Sequence, residues 1–120
     1  MASFKYDSKI TLEIEGHRYI IDGINKNVIE AVKQITQDSM QIAMKLQQEE
    51  KDSDSLQQRI DEMNRICWSF LVSILGNSEA EKLMAGRVKD ILYLNDLCQY
   101  ILQEITNAKT ARIHRLMGRP

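Results

Sequence analysis

Few side chains in this sequence have the type and spacing that chemistry requires. The two histidines are His17 and His114, and neither lies in the His/Cys/Asp spacing that binds zinc. Cys67 and Cys98 fall on apolar faces of predicted helices, where burial raises a thiol pKa and makes it unreactive. We therefore predict no metal site and two buried, reduced thiols, with a Cys67–Cys98 disulfide as the less favoured alternative.

Acid–base catalysis would require a carboxyl group in an environment that raises its pKa. Close pairs of carboxylates occur as Glu49/Glu50, Asp61/Glu62 and Glu79/Glu81. All six lie on polar faces or at helix starts, away from runs of apolar residues. A phosphate-binding loop is not expected either, because no cluster of glycines precedes a predicted helix. The sequence thus predicts no catalytic residue, no cofactor and a non-enzymatic function.

The composition is that of an ordinary soluble domain. The chain has 120 residues, of which 43% are hydrophobic and 28% charged. Sixteen basic and seventeen acidic residues nearly cancel, so no overall field favours nucleic acid or a membrane surface. The longest apolar run, Ile66–Leu75, is too short to span a bilayer, and Met1–Lys9 is too polar for a signal peptide. We therefore expect a cytoplasmic protein.

Two short β-prone segments precede the helical part of the chain. Ile10, Leu12 and Ile14 alternate with polar residues, which is typical of a half-buried strand. A turn containing Gly16 leads to a second segment, Tyr19–Asp22. We predict an antiparallel hairpin over 9–22. Because two strands alone are marginally stable, one face must pack on the helices, and an open edge could pair with another copy.

Apolar residues then recur at helical spacing through most of the remaining sequence. We predict helices near 25–48, 54–75, 79–85 and 90–115, which gives an α+β, mostly α fold with a bundle of three long helices and one short helix. One globular domain over 1–108 would contain the hairpin and a helical bundle over 25–108. The predicted centre of the core comprises Phe70, Leu71, Ile74, Leu94, Cys98 and Ile101.

Several polar residues could cap these helices. The expected caps are Asn25 or Asn27 for the first helix, Ser53 or Asp54 for the second, and Asp90 or Asn95 for the last. Ser78 and Glu81 fit a capping box at the start of the short helix.

Residues 109–120 form a basic C-terminal tail or helix end, with no acidic residue after Glu104. A solvated end, a protein-contact segment and a nucleic-acid contact all fit this composition. For protein contact we predict Arg112, Arg115 and Leu116, together with Tyr93 and Tyr100 at the rim of the last helix. If both tyrosines lie at the rim, their replacement by serine should weaken partner binding and leave the melting temperature nearly unchanged.

The order of these segments resembles a known family. A short hairpin ending in Tyr19–Asp22, a long helix, an acidic connector, and a Leu75-Gly76…Ala80-Glu81-Lys82…Gly86 segment before a last apolar helix resemble the tail assembly chaperones of long-tailed bacteriophages and prophages of Gram-positive hosts. The resemblance covers most of residues 10–105. It does not extend to the residues beyond Ala108.

The resemblance implies a non-virion assembly factor in the host cytoplasm. Such a protein would self-associate as a homo-oligomer, keep the long, apolar, helical tape-measure protein soluble, and later give way to the tail-tube protein. Two alternatives remain open. One is a structural or connector subunit retained in the virion, and the other is a small nucleic-acid-binding regulator that uses the basic C-terminal tail.

Overall fold

The computed structural model describes residues 8–49, 52–85 and 91–118. Its elements are β1 (Lys9–Ile14), β2 (His17–Asp22), α1 (Lys26–Gln48), α2 (Ser53–Leu75), α3 (Asn77–Met84) and α4 (Ile91–Leu116). Helices account for 77% of the described residues, and the two strands form an antiparallel hairpin ahead of them. This confirms the predicted α+β, mostly α class and the order of a hairpin, two long helices, a short helix and a last long helix.

The hairpin is closed by a two-residue turn. Glu15 and Gly16 both have positive φ, at 51° and 78°, as a hairpin turn of this length favours. The turn fixes a register in which Ile14 is opposite His17 and Ile10 is opposite Ile21. One face of the hairpin, which includes Ile10 and Ile14, is consequently buried while the alternate residues face solvent.

Two of the predicted helix starts are wrong. Asp52, rather than Ser53 or Asp54, caps α2, because its Oδ1 accepts a hydrogen bond of 2.7 Å from the Ser55 N–H. The short helix α3 has no side-chain cap and begins at Asn77, directly after Gly76. At a φ of 90°, Gly76 turns the chain from one helix into the next, so Ser78 already lies inside the first turn of α3 and cannot act as its cap.

The other two starts fit the predictions in part. Asn25 caps α1 by accepting a hydrogen bond from the Asn27 N–H at 2.8 Å. The alternative start of α4 at Asn95 is wrong, since the helix is already formed at Ile91. Asp90, the other predicted cap of α4, lies outside the described residues.

The core surrounds α2, which contacts α1, α3, α4 and β2. All six predicted central residues are buried in one apolar cluster, together with the inward side chains of β1. The two thiols lie within this cluster as free cysteines, and the Cys98 Sγ donates a hydrogen bond to the Cys67 carbonyl oxygen at 3.3 Å. Hydrogen bonding to Cys67 and burial raise the pKa of the Cys98 thiol well above its ordinary value, which suits a packing role.

Candidate partner-binding site

An open apolar groove lies where three long helices meet. It has a volume of about 480 Å³. Its lining comes from the C-terminal half of α1, the N-terminal half of α2 and the first turns of α4. The lining residues are Ser39, Ile42, Ala43, Leu46, Leu56, Arg59, Ile60, Met63, Ile91, Leu92 and Asn95. We refer to this set of residues as the groove.

Several groove side chains are unusually exposed for large apolar residues. Leu92 is 75% exposed, Ile60 44% and Leu56 41%. Scattered single exposed apolar residues are normal on a protein surface, but these three come from two helices and line the same concave site. The groove therefore resembles the sites in which an amphipathic helix lays its apolar face.

Ion pairs hold the wall between α1 and α2 together. Arg59 Nη1 lies 2.8 Å from Glu62 Oε1, and Arg59 Nε lies 3.6 Å from Glu49 Oε1. Lys45 Nζ lies 3.6 Å from the other oxygen of Glu62. The shortest of these pairs, Arg59–Glu62, lies within α2, and the two longer pairs link α2 to the C-terminal end of α1. Arg59 thus supports the groove wall, with its charge already engaged by two carboxylates.

Tyr93 and Tyr100 lie on the side of α4 that faces the hairpin. The Tyr100 hydroxyl oxygen accepts a hydrogen bond from the Glu13 backbone N–H at 3.1 Å, and the Tyr93 hydroxyl donates to Glu15 Oε1 at 3.4 Å. Both rings are partly buried against the core, as rim residues are. Their hydroxyls, however, join α4 to β1 and its turn. Replacement by serine is therefore expected to lower stability, in contrast to the expectation from the sequence.

The Tyr100 contact also covers part of the hairpin edge. In a hairpin with a two-residue turn the flanking pair, Ile14 and His17, is the hydrogen-bonded one, so the Glu13 N–H points away from β2. Tyr100 satisfies this outward amide. Helix α4 therefore blocks the pairing of another strand with β1 at this position.

The basic residues predicted for partner contact have different environments. Arg112 is half-buried near the start of α1, where a guanidinium nitrogen lies 3.6 Å from the point that a Cβ added to Gly23 would occupy. Hydrogen bonds from Ser8 and Ile24 lower the pKa of the Asp22 carboxyl, and the Arg112 charge contributes to the same shift. Arg115 and Leu116 are exposed in the last turn of α4. The basic segment is thus a helix end as far as Leu116. The groove and this end lie at opposite ends of α4.

A second group of titratable side chains lies between the hairpin and α3. Glu15, His17, Tyr19, Glu79 and Lys82 line a cavity of about 360 Å³. Burial and the neighbouring Glu79 carboxylate raise the pKa of Tyr19, which therefore stays a neutral hydrogen-bonding group. Within the described ranges no three His, Cys, Asp or Glu side chains are arranged to hold a metal ion.

The groove could not be predicted from the sequence. Its apolar residues belong to the same periodic stripes that predicted the core, and Ile42 is indeed buried there. One feature of the sequence could have indicated it. Leu46 and Leu56 flank the polar segment 47–54 between the first two long helices, where apolar side chains have fewer neighbours to cover them.

Comparison with known proteins gives no relative. No protein family, no curated protein and no solved structure matches the chain. Among the described helices, none has the combination of length and apolarity needed to cross a membrane.

Proposed function

We propose that the protein is a non-enzymatic phage tail assembly chaperone that binds the tape-measure protein in the groove between α1, α2 and α4. The resemblance of the sequence to that family and the apolar groove between the three helices together support this function. The partner would present an amphipathic helix, with residues three and four positions apart inserted between Leu56, Ile60 and Leu92.

The dimensions and lining of the groove support a helical ligand. A volume of about 480 Å³ is suited to a few large apolar side chains from one helix face. The groove presents Ser39, Arg59 and Asn95 as its polar side chains, and Arg59 is already paired with Glu49 and Glu62. Such a lining favours apolar contact, with little demand for a specific sequence, and would suit a long and repetitive helical partner.

The proposal predicts that substitutions in the groove abolish chaperoning without unfolding the protein. The test is co-expression with a phage tape-measure protein from the same genome, followed by measurement of the soluble fraction of that partner. Wild-type protein should keep the partner soluble, while the double variant Leu56→Ser/Leu92→Ser should not. Because both side chains are substantially exposed, circular dichroism should show an unchanged helix content for this variant.

A matched control is available on α1. Ile29 is 52% exposed and lies outside the groove, so Ile29→Ser removes a comparable apolar side chain from another surface. This variant should solubilise the partner as well as wild type does. If wild-type protein leaves the partner insoluble, the chaperone function is wrong. If the groove variant retains full activity, the site is wrong.

A further inference from the structure

A second pocket lies between α2, α3 and the first turn of α4, and it has a volume of about 370 Å³. A volume of this size falls within the range of roughly 300–1,000 Å³ that is usual for small-molecule sites. The two sets of lining residues have no member in common, so this pocket is separate from the groove. We refer to it as the tryptophan pocket. Its lining residues are Asn64, Trp68, Glu81, Met84, Ala85 and Leu94.

Helical spacing brings the lining residues together. Asn64 and Trp68 are four residues apart and share one face of α2. Glu81 and Met84 are three residues apart and share one face of α3. Gly76, at a φ of 90°, turns the chain between these two helices, and α3 packs against α2. Helix α4 supplies the remaining wall.

The tryptophan pocket has an apolar floor and a polar mouth. Leu94 is 2% exposed and Met84 5%, so both lie at the bottom of the pocket. Asn64 and Trp68 are half-buried in its walls, and Glu81 is exposed at its mouth. A ligand that matches this order has a hydrocarbon body directed inward and a charged group directed toward solvent.

Glu81 determines the sign of that charge. Within the part of the chain that the structure describes, its carboxylate makes no ion pair, and its Oε1 accepts a hydrogen bond of 3.3 Å from Asn77 Nδ2. The nearby Glu79, in contrast, is paired with Lys82 at 3.5 Å. A cation at the mouth would be attracted by the Glu81 carboxylate and by the electron-rich face of the Trp68 indole, whereas an anion would be repelled.

We propose that the tryptophan pocket binds a small organic cation, an ammonium or guanidinium group joined to an apolar body about the size of one ring. The body packs on Met84 and Leu94, and the charge lies near Trp68 and Glu81. A free amine and the side chain of a lysine or arginine in a polypeptide share this chemistry. The inference does not depend on the proposed function, because the groove contributes nothing to this site.

Trp68 gives the test a direct signal, because it is the only tryptophan in the chain. Benzylammonium titrated into the full chain at low salt should change the Trp68 fluorescence along a saturating curve. Benzyl alcohol has the same ring without the charge and should bind about three- to tenfold more weakly. High salt should weaken the binding of benzylammonium alone, because it screens the attraction between charges.

A parallel titration with N-acetyl-lysine amide distinguishes the two sources of the cation. Tighter binding than that of benzylammonium would assign the pocket to a lysine side chain of a polypeptide, and weaker binding would assign it to a free amine. Either result supports a site for organic cations.

Glu81→Gln tests the carboxylate with little change of shape. Because Glu81 is exposed, this variant should keep the wild-type melting temperature and bind benzylammonium about three- to fivefold more weakly. Its affinity for benzyl alcohol should be unchanged. Glu79→Gln is the matched control, since it removes the same charge from the same helix at a carboxylate that is paired with Lys82 and does not line the pocket. This control should bind benzylammonium as wild type does.

Four results would overturn the inference. These are no saturable signal from either cation up to about 10 mM, equal affinity for benzylammonium and benzyl alcohol, wild-type affinity of Glu81→Gln, and an equal loss in Glu79→Gln. The proposed function is tested separately, because Glu81→Gln retains the groove and should still keep the tape-measure protein soluble. If no cation binds while the partner is kept soluble, the cation site is wrong and the chaperone function stands.

Discussion

The hydroxyl of Tyr100 is the point at which α4 meets the outer edge of β1, and Tyr100→Phe removes it while leaving the ring in place. The Glu13 N–H then loses an acceptor 3.1 Å away. A net hydrogen bond contributes about 0.5–1.5 kcal/mol to the free energy of unfolding. The bond lies in an exposed position, so water can replace the lost acceptor. We therefore expect a loss of about 0.5–1 kcal/mol, or roughly 2–5 °C in melting temperature.

Tyr100→Ser should cost more than Tyr100→Phe, because it also removes the part of the ring that packs against the core. Partial loss of a buried aromatic side chain adds about 1.5–3 kcal/mol. Tyr93→Phe is the comparison. Its hydroxyl contacts the exposed Glu15 carboxylate at 3.4 Å, a longer contact than that of Tyr100 with a backbone amide, so a smaller loss of stability is expected.

Urea denaturation measures these differences, and amide hydrogen exchange locates them. Tyr100→Phe should increase the exchange rate of the Glu13 amide, whereas amides that bond within the hairpin should change little. Equal destabilisation by Tyr93→Phe, or an unchanged Glu13 exchange rate in Tyr100→Phe, would refute the assignment of Tyr100 as the residue that covers this edge.

The core, the α2–α3 junction and an acid-sensitive contact give further predictions. Phe70→Ala should lower the free energy of unfolding by about 3–5 kcal/mol in a urea melt, because Phe70 is only 3% exposed. A loss under about 1 kcal/mol would contradict the placement of Phe70 in the core. Gly76→Ala should lower the free energy of unfolding by about 1–3 kcal/mol, because a φ of 90° is strained for any residue with a side chain. The cost comes from the backbone alone, since no atom lies within 4 Å of the added Cβ. An unchanged melting temperature would contradict this prediction. The Ser8 hydroxyl and then the Ile24 N–H donate hydrogen bonds that lower the pKa of Asp22 below its ordinary value of 3.8. The ionised Asp22 therefore adds stability above pH 3.8, and this stability is lost as the pH falls through the lower pKa of the folded state. Asp22→Asn should make the free energy of unfolding depend less on pH in this acidic range. If the pH dependence of the variant equals that of the wild type, Asp22 does not stabilise the fold in this way.

The period of the apolar residues was sufficient to predict the elements and the centre of the core. The alternation of Ile10, Leu12 and Ile14 specifies one buried strand face, and spacings of three and four specify the helix faces that contain Phe70 and Ile101. These patterns are local, so a single sequence carries them. The helix starts were less predictable, because Asp52 and Ser53 are both good caps and adjacent, and the choice depends on the entry angle of the chain.

The sequence by itself thus determined a hairpin, three long helices, a short helix and their buried faces. The tertiary structure decided which apolar residues of those faces remain uncovered. Leu71 and Leu92 are both leucines on helices, yet Leu71 is fully buried and Leu92 lies in the open groove. It also brought the hydroxyls of Tyr93 and Tyr100 into contact with the hairpin, and it placed the exposed Leu116 at the opposite end of α4 from the groove. The physical reason is that periodicity fixes the direction of a side chain within its own element, whereas its burial depends on where the other elements end.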